Sequence, residues 1–483
     1  MLDLRPVFFV VGLLLSVLAF AMLVPAAVDL ALRNEDWQVF AGSSAVTLFF
    51  GMSLFLSSRR SAFDLNIRQA FILTVTSWVT IAAFAALPFA FSELGMSYTD
   101  AFFESMSGVT TTGSTVINYI EGAPPGILMW RALLQWMGGI GIIVMALSIL
   151  PMLRVGGMQL FRMESSDTSE KVLPRAAQIA TSIALVYVAL TLICAAIYSL
   201  AGMTVFDGVA HAMTTIATGG FSTKTLSISY YDNALIDATG TLFMLLGGLP
   251  FVLYLQAVRG RFLPFVQDSQ VRWFLSIVVV SVGLMAAYLT YGPQEKEAVE
   301  ALRLASFNVV SIITGTGYAT DGYDDWGMFA LVAFFFLMFA GGCAGSTSCG
   351  IKIFRIQVLY ANVRVQIGKL LHPHGVFISY YNRKPIPDAV MDSVMSFFFL
   401  FIICFGVLSM ALGLTGLDFL TAVSSAGTAI ANVGPGLGPI VGPVGSFAPL
   451  SDEAKWLLSF GMLLGRLELF TVLVLFSPQF WRT

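Results

Sequence analysis

Apolar runs long enough to cross a bilayer alternate through this chain with shorter amphipathic stretches, and four of those stretches run straight into a glycine-centred segment. The segments are Thr111-Thr112-Gly113, Ala217-Thr218-Gly219, Gly315-Thr316-Gly317 and Asn432-Val433-Gly434. They recur roughly every hundred residues, a period far longer than a solenoid repeat and suited to two membrane spans with a loop between them. Non-helical backbone is tolerated at membrane depth only where it is buried in protein or lines a water-filled cavity. Four short helices that each end in such a segment therefore point to the walls of one pore.

Composition places the chain in a bilayer. With 57% hydrophobic and 11% charged residues over 483 positions, it is too apolar for a soluble globule with a charged shell. At about 20 residues per span, candidate spans fall at 7–30, 37–57, 69–92, 127–150, 177–201, 235–258, 272–291, 327–348, 392–414 and 455–476. The amphipathic stretches 98–109, 205–216, 299–313 and 417–431 are too short to span and read as re-entrant helices. The first run has Arg5 before it and Pro25-Ala26-Ala27 near its end, as a secretory signal would. Its apolar core approaches span length and a second span follows at once, so it is expected to be a span.

The charges give the topology. Arg5, Arg59, Arg60, Arg68, Arg154, Arg162, Lys171, Arg175, Arg259, Arg261, Arg272, Lys352, Arg355, Arg364, Lys369, Arg383, Lys384 and Arg482 all fall on one side, which the positive-inside rule makes cytoplasmic, as are both termini. Arg33, Arg131, Lys224, Lys296, Arg303 and Lys455 fall on the other side, and Arg466 lies within a span. Asp100, Glu104, Glu121, Asp321, Asp324 and Asp325 gather on the outer side near the glycine segments, where an acidic mouth would concentrate cations.

A permeating cation must exchange its water shell for oxygen ligands, and backbone carbonyls supply these without a fixed charge that would hold the ion. Glycine opens the backbone conformations that let successive carbonyls share an axis. Asn432-Val433-Gly434-Pro435-Gly436 is the segment closest to a potassium-channel filter. Close helix packing by small residues is the competing explanation for a single such glycine, but four copies after four amphipathic stretches favour a filter.

Three further groups of residues carry the comparison to a known family: Gly341-Gly342-Cys343-Ala344-Gly345-Ser346-Thr347-Ser348-Cys349-Gly350, which runs on to Lys352; Gly465-Arg466-Leu467-Glu468; and Thr214-Thr215 ahead of the second segment. Together with the four segments, in this order and over essentially the whole chain, they resemble the Trk/Ktr/HKT superfamily of potassium transporters, and within it the bacterial TrkH-type membrane subunit. The resemblance implies an all-α polytopic membrane protein in which four tandem span, re-entrant pore helix, span repeats form a pseudo-fourfold cation pore. Residues 1–60 would be two extra spans, and 61–160, 161–265, 266–384 and 385–483 the four repeats. By position, the ion-facing carbonyls would be those of Thr111, Thr112, Ala217, Thr218, Gly315, Thr316, Asn432 and Val433, with Gly113, Gly219, Gly317 and Gly434 completing the ring. A single glycine per segment suggests weaker discrimination against sodium than in a dedicated potassium channel.

The same resemblance makes Gly341 to Gly350, with Gly342, Gly345, Ser346, Thr347 and the following Lys352, an intramembrane gating loop; its glycine density already argues against an ordinary helix there. It puts Arg466 in the permeation path as an electrostatic barrier, a structural pairing being the alternative. Arg466 and Glu468 do not share a helix face, so they should not pair with each other. The implied cargo is K⁺, with Rb⁺ as a surrogate, and no organic cofactor is expected in this chain. The implied partners are a second copy of the chain, the lipid bilayer and a cytosolic TrkA-type nucleotide-binding ring, and the implied location is the bacterial inner membrane.

Other residues argue for less. Cys194, Cys343, Cys349 and Cys404 are scattered, so packed thiols are expected. His372 and His374 share a basic loop, and His211 lies on the second pore helix, where packing is the simpler role. Three histidines do not assemble the reactive cluster that a membrane enzyme would need. A proton- or sodium-coupled symporter remains the alternative to a channel-like pore, with Glu468 as its intramembrane carboxylate.

Overall fold

The computed structural model describes residues 3–59, 65–148, 153, 172–382 and 384–482. Arg60, Arg154, Arg162, Lys171 and Arg383, which contribute to the charge pattern, lie outside these, as do the repeat boundaries at 60 and 160. Among the described residues the chain is helical apart from loops and one small hairpin, Tyr380–Tyr381 against Lys384–Pro385.

Among the described residues, seven helices are long and apolar enough to cross a membrane, and nine spans result if two sharply bent pairs are counted. The first two, Arg5–Ala31 and Trp37–Ser57, form an antiparallel pair tied by the Ser44 hydroxyl to the Ala19 carbonyl at 2.7 Å. The outward faces of the bundle are apolar, with Phe49, Leu192 and Ile402 each more than 60% exposed, as a lipid-facing surface requires.

The four re-entrant helices are Tyr98–Val109, Val205–Ile216, Ala298–Ile313 and Phe419–Ala431, within two residues of their sequence expectation. Ser97, Thr204 and Asp418 cap three of them by accepting from the amides of Asp100, Asp207 and Thr421, which fixes where each helix begins. The first packs on its own spans, Ile67–Ala85 and Pro125–Ser148, and also on Asp452–Arg466 of the last repeat. The second packs on Pro125–Ser148 as well as on its own Val172–Leu200 and Ala234–Gly248, and the third packs on Ala234–Gly248. This stepwise overlap closes a ring in which the fourth repeat meets the first.

Three expected spans are interrupted. The sixth bends by 97° between Ala234–Gly248 and Phe251–Val258, where Pro250 cannot donate a helical hydrogen bond. The last bends by 110° after Arg466, through Glu468 and Leu469 at φ +63° and +51°. The expected span 327–348 stops as the ten-residue helix Met328–Leu337, and the chain continues as irregular backbone to the helix Ile353–Leu371. These breaks meet one another: the Phe251 amide donates to Gly345 at 2.9 Å, the Cys343 amide to Gly248 at 3.0 Å, and Arg466 reaches the Thr347 carbonyl. The loop thus satisfies backbone groups that the bent spans release.

Candidate functional site: a carbonyl ring and the loop beneath it

Each pore helix ends in the same backbone path. Thr111, Thr218, Gly315 and Asn432 have φ of +54°, +49°, +71° and +53°, and two residues later Gly113, Gly220, Gly317 and Gly434 have φ of +90°, +80°, +80° and +113°. Between them, the amides of Thr112, Gly219, Thr316 and Val433 donate five residues back, to Ser107, Thr214, Ser311 and Thr428, at 2.8 to 3.1 Å. The second segment therefore sits one residue later than its alignment on Gly219: Gly220 occupies the position of Gly113, Gly219 that of Thr112, and Ala217 that of Thr110. The Gly219-Gly220 doublet leaves two registers open to a reader of the sequence, and only the dihedral angles choose between them. Left-handed backbone at two β-branched threonines costs of order 1–3 kcal/mol each and persists only where the surroundings impose it.

The four segments face one another in cyclic order. A β-carbon on Gly113 would strike the Gly219 carbonyl, one on Gly220 the Thr316 carbonyl, and one on Gly317 the Val433 carbonyl, while one on Gly434 would come 2.7 Å from the Thr112 carbonyl. No larger residue fits these four positions with the ring at this spacing. Among the described residues no protein donor satisfies the carbonyls of Thr111, Thr112, Thr218, Gly315, Thr316, Asn432 or Val433, although these residues are buried. Buried carbonyls without donors are uncommon, and seven of them around one axis form an oxygen-lined site for a cation. The second quarter differs, because Gln135 Nε2 donates to the Gly219 carbonyl at 2.5 Å. The C-terminal ends of all four pore helices point at the ring, so their dipoles also favour positive charge there.

On the side where Gly113, Gly220, Gly317 and Gly434 open into a small cavity, Arg131 and Lys224 join the lining. Four of the six carboxylates expected at the acidic mouth are engaged by protein partners. Glu104 is fully buried and pairs with Arg131 at 2.8 Å; it also accepts from the Thr115 hydroxyl and, at 2.9 Å, from the Val116 amide. Arg131 continues to the Ser222 carbonyl at 2.7 Å and lies over Phe221, joining the first and second segments. Asp100 pairs with Lys455, and Asp321 faces Lys296. Burial raises the Glu121 carboxyl, but hydrogen bonds from Thr225 and the nearby Lys224 outweigh it and hold the group below its usual range. Arg131 and Gln135 are four residues apart in an apolar run, a signal of a shared functional face that the sequence offers.

At the opposite end of the ring lies the loop Gly341–Gly350, buried throughout except for its half-buried last glycine. Thr347 donates to the carbonyls of Ile216 and Gly247, each at 3.0 Å, and its oxygen accepts from the Thr218 hydroxyl at 3.1 Å. Cys349 Sγ lies 3.9 Å from the Thr111 hydroxyl. Ser346 Oγ closes a local turn onto the Cys343 carbonyl at 2.6 Å, and Gly341 and Gly342 sit where β-carbons would strike the returning strand at Cys349 and Ser348. Gly345 and Gly350 take φ of +74° and +70°.

Three cations crowd this end. Arg466 donates to the Thr347 carbonyl, to Cys349 Sγ and, at 2.8 Å, to the Gly138 carbonyl. Lys352 donates to the Ser348 carbonyl. Arg355, which the charge pattern places only among the cytoplasmic residues, is fully buried, pairs with Glu468 and stacks 3.7 Å from the Phe397 ring centroid. Arg466 and Glu468 thus serve different partners, as their spacing requires. His211 is packed between the Asp207 carbonyl and the Ser222 hydroxyl. His372 and His374 are exposed, and no metal-ligating cluster occurs among the described residues.

The chain is similar to known proteins over its whole length. The chain is 46% identical to the Trk system potassium uptake protein TrkI of Halomonas elongata, covering 99% of this chain and 97% of that one. It is 38% identical to the Trk system potassium uptake protein TrkH of Escherichia coli, covering 98% of each. The crystal structure of the potassium transporter TrkH from Vibrio parahaemolyticus superposes with a TM-score of 0.92 at 37% identity over the full length of both chains. Residues 36–483 match the TrkH family profile, described as a cation transport protein, and the chain belongs to that family.

Proposed function

We propose that this chain carries potassium into the cell through a gated, channel-like pore. The observation that supports this most directly is the ring of buried backbone carbonyls contributed by all four repeats, seven of which have no protein donor among the described residues. Such oxygens can replace a cation's water shell without binding it as a carboxylate would. In the structural register, the filter comprises Thr111, Thr112 and Gly113; Thr218, Gly219 and Gly220; Gly315, Thr316 and Gly317; and Asn432, Val433 and Gly434. Ala217 then falls at the base of the second quarter rather than in the ring.

In this reading the loop Gly341–Gly350 is the gate. It rests on the inner end of the filter through Thr347 and Cys349, and conduction requires it to leave. Arg466 holds the loop by its Thr347 carbonyl and places a positive charge where a cation would emerge. A proton-coupled symporter would use an intramembrane carboxylate that is free to titrate, and the pairing of Glu468 with Arg355 disfavours that role. The chain would sit in the bacterial inner membrane with both termini cytoplasmic, act as a homodimer, and receive its opening signal from a cytosolic nucleotide-binding ring of the TrkA type.

The test is Rb⁺ or K⁺ flux into liposomes holding the purified chain, with Na⁺ competition and the membrane potential varied. Uptake driven by voltage alone, without a proton or sodium gradient, is the expected result. Uptake that appears only with an imposed proton or sodium gradient would replace the channel reading with symport.

A further inference from the structure

Away from the pore, the helix Ile353–Leu371 and the segment around the hairpin enclose a cavity of about 810 Å³ against the start of the span Ser269–Tyr291. The enclosure is built by polar ties at its rim: Gln357 Nε2 donates to the Ser269 carbonyl at 2.8 Å, and the Ser269 amide donates to Asn382 at 3.1 Å. Its walls are aromatic and aliphatic, with Trp273, Tyr360, Ile367, Leu371 and Phe377. Arg364 is the cation in that lining, and among the described residues no carboxylate accompanies it. Ile367 and Leu371 are 51% and 70% exposed, so an apolar face stands open at the cavity.

We propose that this cavity is a binding site for an anionic phospholipid. Its depth fits one: Trp273 lies one turn inside a membrane span, the level at which tryptophan marks the boundary between acyl chains and headgroups. Its charge fits as well, because Arg364 in the wall presents positive charge to a phosphodiester, on segments that also carry Arg272, Lys369 and Lys384. A basic pocket beside the end of a span is suited to an anionic headgroup, and the apolar wall would take an acyl chain. The nearest carboxylate in sequence, Asp268, turns to the amides of Gln270 and Val271 and to Asn382 at the rim and does not itself join the lining. The helix that forms one wall begins at Lys352, directly after the loop beneath the filter, so a bound lipid would brace the element that anchors that loop.

The full chain, purified in detergent and examined by native mass spectrometry with phosphatidylglycerol or phosphatidylcholine added, tests this independently of transport. Wild type is expected to retain phosphatidylglycerol over phosphatidylcholine. Arg364→Gln should lower that preference by roughly five-fold, the worth of one basic side chain at an anionic surface. Arg364→Lys should restore it, and Arg259→Gln, on another segment, should leave it unchanged. Equal retention of the two lipids, or an Arg364→Gln variant that behaves as wild type, would overturn the proposal. So would displacement of the lipid by glycerol phosphate alone, or disulfide capture of a second copy through Ile367→Cys in the presence of excess lipid.

Discussion

The two ends of the filter are built from similar residues and solve opposite electrostatic problems. At the mouth, cations are matched by carboxylates: Arg131 by Glu104, Lys455 by Asp100, Lys224 by Asp207 at 3.8 Å. At the loop end, Lys352, Arg355 and Arg466 are all buried, and among the described residues Glu468 is the carboxylate paired there, with Arg355. The mouth charges therefore hold protein to protein. The loop-end charges leave a surplus that a cation leaving the filter must pass, and Lys352 and Arg466 donate to carbonyls rather than carboxylates, Arg466 to Gly138 as well as to Thr347 of the loop. Removing a mouth charge should cost stability, whereas removing a loop-end charge should change flux.

The largest expected effect is at Glu104. Glu104→Ala leaves Arg131 buried without its partner and should destabilise the protein by about 3–5 kcal/mol, read as a large fall in the thermal unfolding midpoint in detergent. A stable variant with reduced flux would show that the carboxylate acts on ions rather than on Arg131. Next comes Gly220→Ala, whose new methyl would strike the Thr316 carbonyl and should abolish flux. Gly219→Ala first meets the Gln135 side chain rather than backbone and should retain part of it. Equal loss in both would return the register to Gly219.

Arg466→Ala should raise flux. A unit charge about 8 Å from the ion is worth roughly 2 kcal/mol at an effective dielectric of about 20, which corresponds to an increase on the order of thirtyfold. Unchanged or lower flux would erase the contrast between the two ends. Thr347→Val keeps the side-chain shape but loses its hydrogen bonds to Ile216, Gly247 and Thr218, each worth about 0.5–1.5 kcal/mol, so the loop should release more often and flux rise several-fold. The smallest effect belongs to Lys296→Ala at the mouth. Its pairs are partly exposed, so stability should move by less than about 1 kcal/mol and flux not at all.

Much of the architecture is legible in the residues themselves. Hydrophobic length marks the spans, and the switch to short amphipathic stretches places the four pore helices to within two residues. The glycine density at 341–350 signals a break in the eighth span. The break after Gly248 is marked by Pro250 within an otherwise continuous apolar run, whereas the break after Arg466 carries neither a proline nor a glycine run. The spacing of Arg131 and Gln135 signals a shared face, but the partners of Arg131, Glu104, Gln135 and Arg355 are hidden, since a pattern of charges along a chain records which side a residue lies on and not what it touches.

What the sequence alone determined was a membrane pore of four re-entrant segments, because transfer from water, helix length and glycine's backbone freedom are local properties of the residues. What only the tertiary structure decided was the register of the second segment, the pairing of the mouth carboxylates and the surplus of buried cations beneath the loop. Those depend on which carbonyl of one repeat meets which glycine of the next, a relation between residues about a hundred positions apart that no local preference encodes.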